Sequence, residues 1–131
     1  MAKRRIEAAL ALIEQRGRYL ICKRRADDVL GGYWEFPGGK RKPHESWRAC
    51  LKREVREELG VTVKMVAPFT SLRHEDRRCA RHFTVYRCVL ARGTPRPLTA
   101  QALRWVPARQ LGRYRFPPAN RPLITTLRDM L

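Results

Sequence analysis

The segment from Ser46 to Gly60 does most to limit what this chain can fold into. Trp47, Cys50, Leu51, Val55 and Leu59 recur at three- and four-residue spacing, which predicts a helix over 46–59 with one apolar face. Ser46 suits its N-cap, because a serine hydroxyl accepts from the free amides of a first turn. Gly60 suits its stop, where left-handed backbone is favoured. The same helix carries Glu54, Glu57 and Glu58 at i, i+3 and i+4, so three carboxylates project from nearly one side. Such charges repel one another and weaken a helix. Arg53 and Arg56 lie at other angles and offset only part of that. A hard divalent cation held through oxygen is the natural partner, with Mg²⁺ the usual one and Mn²⁺ a substitute. Taken alone, the E-x-x-E-E run reads more readily as a surface helix with ordinary Glu/Arg pairs.

The rest of the chain supplies a sheet for this helix to rest on. Strands are predicted over 6–13 and 19–22, joined by a turn at Arg16-Gly17-Arg18. A loop follows over 27–32. Trp34-Glu35-Phe36 is a brief extended piece, stopped by Pro37-Gly38-Gly39. Further strands are predicted over 61–66, 82–90 and 103–106. The tail over 118–131 reads as a closing helix with Leu123, Ile124, Leu127 and Leu131 on its apolar face. Helices with strands on either side imply a mixed α/β fold, helices packed on one sheet. The 131 residues suit one domain over 1–131.

Composition excludes several classes. The hydrophobic fraction of 44% argues against wholesale disorder. No apolar run reaches membrane-spanning length, and the short apolar stretch over 8–13 reads as a strand, not as a signal peptide. Cys22, Cys50, Cys79 and Cys88 form no C-x-x-C pair, and the three histidines complete no zinc spacing. A reducing cytoplasm is the simplest setting. The net charge of +17 invites a polyanionic partner such as nucleic acid. The basic residues are nevertheless spread along the chain, with no basic tail and no stripe interleaved with aromatics. A solvated basic surface around a pocket for a small polyphosphate is therefore favoured.

Read together, Gly39, Glu45 five residues on, Arg53 after seven more, and the unbroken run to Val61 form G-x5-E-x7-R-E-U-x-E-E-x-G-U, with U a bulky aliphatic. This pattern resembles the signature of the Nudix hydrolases at every specified position. The resemblance implies the Nudix α/β/α sandwich. It implies that Glu54, Glu57 and Glu58 bind Mg²⁺ together with the carbonyl of Gly38. It gives Arg53 the task of orienting the glutamates, and Glu45 that of stabilising the loop–helix junction. The implied reaction is attack of a metal-activated water on a phosphorus of a nucleoside diphosphate linked to a further group.

The flanks extend the likeness to nearly the whole chain. The run from Gly31 to Lys40, which includes Glu35, Phe36 and Lys40, resembles the approach to the signature in the MutT branch, whose members hydrolyse 8-oxo-dGTP. Phe116-Pro117-Pro118-Ala119-Asn120 resembles the end of that branch. There the matching Asn reads the oxidised guanine, and an amide can do so because it both donates and accepts. Asn120 could equally be a helix N-cap. Arg24 falls where such relatives contact substrate; otherwise it is a solvated hairpin charge. Glu35 is expected to reach the sugar, and Phe36 to form a pocket wall or plain core. One departure stands out. Where many relatives carry a further Glu, this chain has Thr99 and no neighbouring carboxylate, which leaves the general base open among Glu57, Glu58, Glu75 and Asp76. The substrates expected are a nucleoside triphosphate, foremost 8-oxo-dGTP, with a cytidine-type or broad nucleotide pyrophosphatase as the alternative. A nucleic-acid-binding module or an RNA 5′-end hydrolase are further alternatives. Monomer and dimer are both compatible with the sequence.

Overall fold

The computed structural model describes residues 3–131. Its spine is one long strand, β1 (Arg4–Gln15), which pairs along most of its length with β6 (Cys79–Arg92) in parallel. The other edge of β1 is shared. Its middle pairs antiparallel with β4 (Gly38–Lys40), and its end turns into β2 (Arg18–Lys23). Arg16 and Gly17 both have positive φ, which is the two-residue turn that matches strand twist. β2 continues to β3 (Trp34–Glu35) on one edge and β7 (Ala102–Pro107) on the other. β5 (Thr62–Glu75) closes the far edge, antiparallel to β6. The result is a seven-stranded mixed sheet.

Alternation along β1 divides the core in two. Ala9, Ala11 and Ile13 face the helix α1 (Trp47–Leu59) and meet its Cys50, Leu51, Val55 and Leu59. The alanines let the helix backbone come close. Leu10 and Leu12 face the opposite side, where Phe36 and Phe116 pack with Leu123, Ile124 and Leu127 of α2 (Arg121–Asp129). One helix on each face makes the expected α/β/α sandwich. Among the described residues no helix is long and apolar enough to cross a membrane.

Both predicted caps of α1 are present. Ser46 Oγ accepts from the Ala49 amide at 3.0 Å, and Gly60 sits at φ 71° with its amide on the Arg56 carbonyl. Four expectations need correction. Pro37-Gly38-Gly39 does not end the extended run, because Gly38–Lys40 is itself a strand hydrogen-bonded to β1. The strand predicted over 61–66 runs on to Glu75. Register shifts around Met65–Ala67 and Pro68–Thr70 absorb Pro68, which an edge strand tolerates. The closing helix starts only at Arg121, after a 3-10 turn over Pro118–Asn120, and a second 3-10 segment over Ala108–Arg113 was not foreseen. Leu131 is 78% exposed, because α2 ends at Asp129 before reaching it.

Leu51 is fully buried between α1 and the sheet. Leu51→Ala should lower unfolding free energy by about 2–5 kcal/mol, read by denaturant titration. Lys52→Ala on the exposed side should change it by less than about 0.5 kcal/mol.

Candidate active site

The acidic side of α1 lies against the β4 turn, and one guanidinium ties the two together. Arg53 Nε and Nη2 donate to the two carboxylate oxygens of Glu45 at 2.7 and 3.0 Å. Its Nη1 reaches Glu54 at 2.8 Å and Glu57 at 3.3 Å, and Nη2 also donates to the Lys40 carbonyl at 3.1 Å. The flat fork of arginine can serve several oxygens at once where a lysine could not. The hydrogen bonds from Arg53 hold the Glu45 carboxyl down at about 2, so it stays ionised. The same carboxylates raise the Arg53 pKa.

Two glycines allow this contact. A Cβ on Gly39 would lie 2.3 Å from the Glu54 carboxylate, so only a glycine leaves Glu54 its place. Gly38 has φ 145°, and a Cβ there would lie 2.0 Å from the Ala9 carbonyl. The Gly38 amide donates to Glu58 at 3.0 Å, and the Cys50 thiol to the Gly39 carbonyl at 3.4 Å. Glu58 is the least solvated of the three helix carboxylates. Burial pushes its pKa up to about 8, against the Gly38 amide, and Glu35, Glu54 and Glu57 push it further. Glu57 is the most open, with 56% of its side chain exposed.

Among the described residues no three His, Cys, Asp or Glu side chains stand in a metal-binding arrangement. Each carboxylate is turned toward a protein partner instead. The donor set still fits a hard divalent cation. Glu54, Glu57 and Glu58 share one side of α1, next to the Gly38 backbone, an oxygen donor set of the kind Mg²⁺ takes.

The residues expected on the substrate side divide into two groups. Arg24 is not a solvated charge. Its guanidinium bonds Glu35 at 2.9 Å, Asp28 at 3.3 Å and the Val29 carbonyl at 2.8 Å, and so holds the turn over 27–32. Glu35 is close enough to Glu58 to raise its pKa, so this pair borders the acidic cluster. Lys40 contributes its carbonyl to Arg53 and leaves its side chain exposed. Phe36 and Asn120 belong to the α2 face. Phe36 is 2% exposed and stacks on Phe116 with ring centroids 5.2 Å apart. Asn120 is 7% exposed and makes no side-chain capping bond to α2, so the N-cap alternative fails. Its backbone is helical, which is not how an N-cap residue sits.

Thr99 lies in the segment that crosses the end of α1, where the Leu98 amide donates to the Glu58 carbonyl at 3.1 Å. The place without a carboxylate is therefore beside the acidic cluster. Glu75 and Asp76 cannot make up for it. Glu75 pairs with Lys3, and Asp76 caps its own hairpin turn and pairs with Arg81. Gln101 was missed by sequence reasoning. Its backbone amide and side chain donate to the carbonyls of Lys23 and Arg24, at 3.0 and 2.7 Å, and brace the Arg24–Glu35 pair. An uncharged residue in a loop carried no pattern that could have singled it out.

Metal-free protein should lose stability as pH rises, through Glu58. Its folded pKa lies above the ordinary carboxylate value, so the folded state binds more protons, and that contribution is lost as pH climbs toward about 8. Melting temperatures of the parent should fall between pH 5 and 8 relative to Glu58→Gln, and Mg²⁺ should flatten the parent curve. Parallel curves for the two proteins would contradict this.

Comparison with known proteins agrees with this geometry. A model of the NUDIX domain matches residues 8–126. The chain is 35% identical over 119 residues to a CTP pyrophosphohydrolase of Escherichia coli, covering 91% of this chain and 88% of that one. It is 30% identical over 130 residues to the 8-oxo-dGTP diphosphatase of the same organism, covering 97% and 99%. The crystal structure of a MutT NUDIX hydrolase from Burkholderia pseudomallei superposes with a TM-score of 0.83 at 26% identity, over 94% of this chain and 98% of that one. With the helix, its paired glycines and its carboxylates in place across that span, the chain belongs to the NUDIX domain family and is a Nudix hydrolase.

Proposed function

We propose that the protein is a Mg²⁺-dependent nucleoside triphosphate pyrophosphohydrolase that favours 8-oxo-dGTP and yields the monophosphate and pyrophosphate. The observation that carries the choice of base is Asn120. It is the only buried polar residue among the described residues, and it stands at the start of α2 with no side-chain capping bond to that helix. With no capping bond to make, the amide is free to meet a ligand. Its paired donor and acceptor suit the edge of a purine that presents both.

Glu54, Glu57 and Glu58, with the Gly38 carbonyl, would hold Mg²⁺. The bound ion would polarise the phosphate and acidify the attacking water. Arg53 keeps Glu54 and Glu57 aimed at one place, and Glu45 fixes Arg53 in turn. Water adds to phosphorus, its proton passes to a carboxylate, and pyrophosphate leaves. Glu57 is the best-placed acceptor for that proton, since it is the exposed member of the cluster and Glu58 is held by Gly38. Arg24 acts through Glu35, keeping the turn over 27–32 at the rim of the site. The free, mostly buried cysteines suit a reducing, cytoplasmic setting.

A second reading is a cytidine nucleotide pyrophosphohydrolase, supported by the identity to the CTP enzyme. A panel of 8-oxo-dGTP, dGTP, dCTP, CTP and a 5′-triphosphate RNA, followed by pyrophosphate release with Mg²⁺, separates the two. Glu57→Gln should lower the rate at least about 100-fold on every active substrate. Asn120→Ala should cut the preference for 8-oxo-dGTP over dGTP by about tenfold, the size of one lost hydrogen bond of about 1.4 kcal/mol. An unchanged preference in Asn120→Ala, with CTP the best substrate, would replace the first reading with the second.

A further inference from the structure

The sheet extends beyond the helix that covers it. α1 starts at Trp47, whose ring lies 5.4 Å from that of His82, centroid to centroid, and among the described residues no helix follows β1, β6 and β5 past that point. Register places Glu7, His82 and Arg73 side by side across the three strands, with Arg5, Ala80 and Glu75 in the next row of the same face. Ala80 leaves the floor shallow. The outcome is an open cleft of about 1020 Å³ beside the Arg41 turn.

Its walls are cationic in excess. Lys3, Arg5, Arg41, Arg73 and Arg81 line it, against only Glu7 and Glu75. Arg41 pairs with Glu7, and Lys3 with Glu75 at 2.9 Å. Both acids are thus already neutralised, while Arg5 and Arg73 are exposed and form no ion pair among the described residues. Pockets for small molecules are mostly apolar, with a few polar groups. This one has no Phe, Tyr or Trp in its lining, and Ile6 and Ala80 are its only apolar members. It is built to meet charge spread along a chain, not a base.

We propose that this cleft binds the phosphate backbone of a nucleic-acid strand without reading its sequence, at a place separate from the nucleotide pocket. Guanidinium groups from two strands, Arg5 and Arg73, and from the Arg41 turn match phosphates repeated along a strand, while Arg81 is held by Asp76. Arg41 directly follows Lys40, whose carbonyl meets Arg53, so the cleft abuts the acidic cluster on the α1 face. Asn120 lies across the sheet on the α2 face. The two ligands would not compete for the same groups. Folding brings these cations together from segments that lie far apart in sequence.

The test is fluorescence anisotropy of a short labelled single-stranded oligonucleotide of mixed sequence, in EDTA so that no hydrolysis intervenes, over a range of salt. The parent should bind with affinity that falls steeply with salt. The double variant Arg5→Glu, Arg73→Glu should bind at least about tenfold more weakly, with a salt slope smaller by roughly 1–2, while hydrolysing nucleotides at the parent rate. The control Arg109→Glu, Arg113→Glu, with the same change of charge on another exposed segment, should bind like the parent. Equal losses in both variants would overturn the proposal in favour of diffuse attraction by net charge. Displacement of the oligonucleotide by tripolyphosphate at equal total phosphate would overturn it in favour of a site for small phosphate chains. Binding of the cleft variant at parent strength would overturn it outright.

Discussion

The fan of hydrogen bonds from Arg53 is the contact on which the rest of the site depends. One guanidinium joins Glu45 before the helix, Glu54 and Glu57 on it, and the Lys40 carbonyl beneath it. Without it, Glu54 and Glu57 would face only neighbouring carboxylates and solvent. With it, two of them are held at set angles, and the third, Glu58, is fixed by the Gly38 amide. The helix can then carry a charge arrangement that would weaken it in isolation. Its buried side keeps the array rigid, since Cys50, Leu51, Val55 and Leu59 are locked into the sheet.

The glycine pair and the divided edge of β1 place this array. β1 hands its free edge first to β4 and then to β2, so Gly38 and Gly39 sit in the sheet, close against β1 and the Glu54 side chain of α1. No side chain fits at either position. The same strand directs alternate residues to opposite faces. The acidic cluster stands beside the core that includes Ala9 and Ala11, and the aromatic and amide groups of the α2 side stand over the core that includes Leu10 and Leu12. A nucleotide reaching from one to the other would put its phosphates at the carboxylates and its base near Asn120.

Much of the acidic cluster was legible in the sequence, because its residues lie on one helix and the turn before it. Spacing of three and four residues carries through folding unchanged, so Glu54, Glu57, Glu58, Ser46 and Gly60 stand where the pattern puts them. What depends on pairing between distant strands was not legible. Pro68 and the charged residues from Arg73 onward look like a loop, yet they form an edge strand because β6 supplies the partner. The ion pair of Arg24 with Glu35 and the brace from Gln101 depend on register among β2, β3 and β7. The basic cleft is the clearest case. Arg5, Arg41 and Arg73 are scattered along the chain and become neighbours only through the pairing of β1 with β4 and β6 and of β6 with β5.

In the proposed reaction water attacks phosphorus and the bond to pyrophosphate breaks, with the α1 carboxylates as the residues that would hold the metal. Hydrolysis of 8-oxo-dGTP in ¹⁸O-enriched water, with the products resolved by mass, tests this most directly. The predicted result is nucleoside monophosphate and pyrophosphate, with a single ¹⁸O in one of them, and no turnover once divalent cations are chelated. Products of nucleoside diphosphate and inorganic phosphate, or turnover indifferent to chelation, would contradict it.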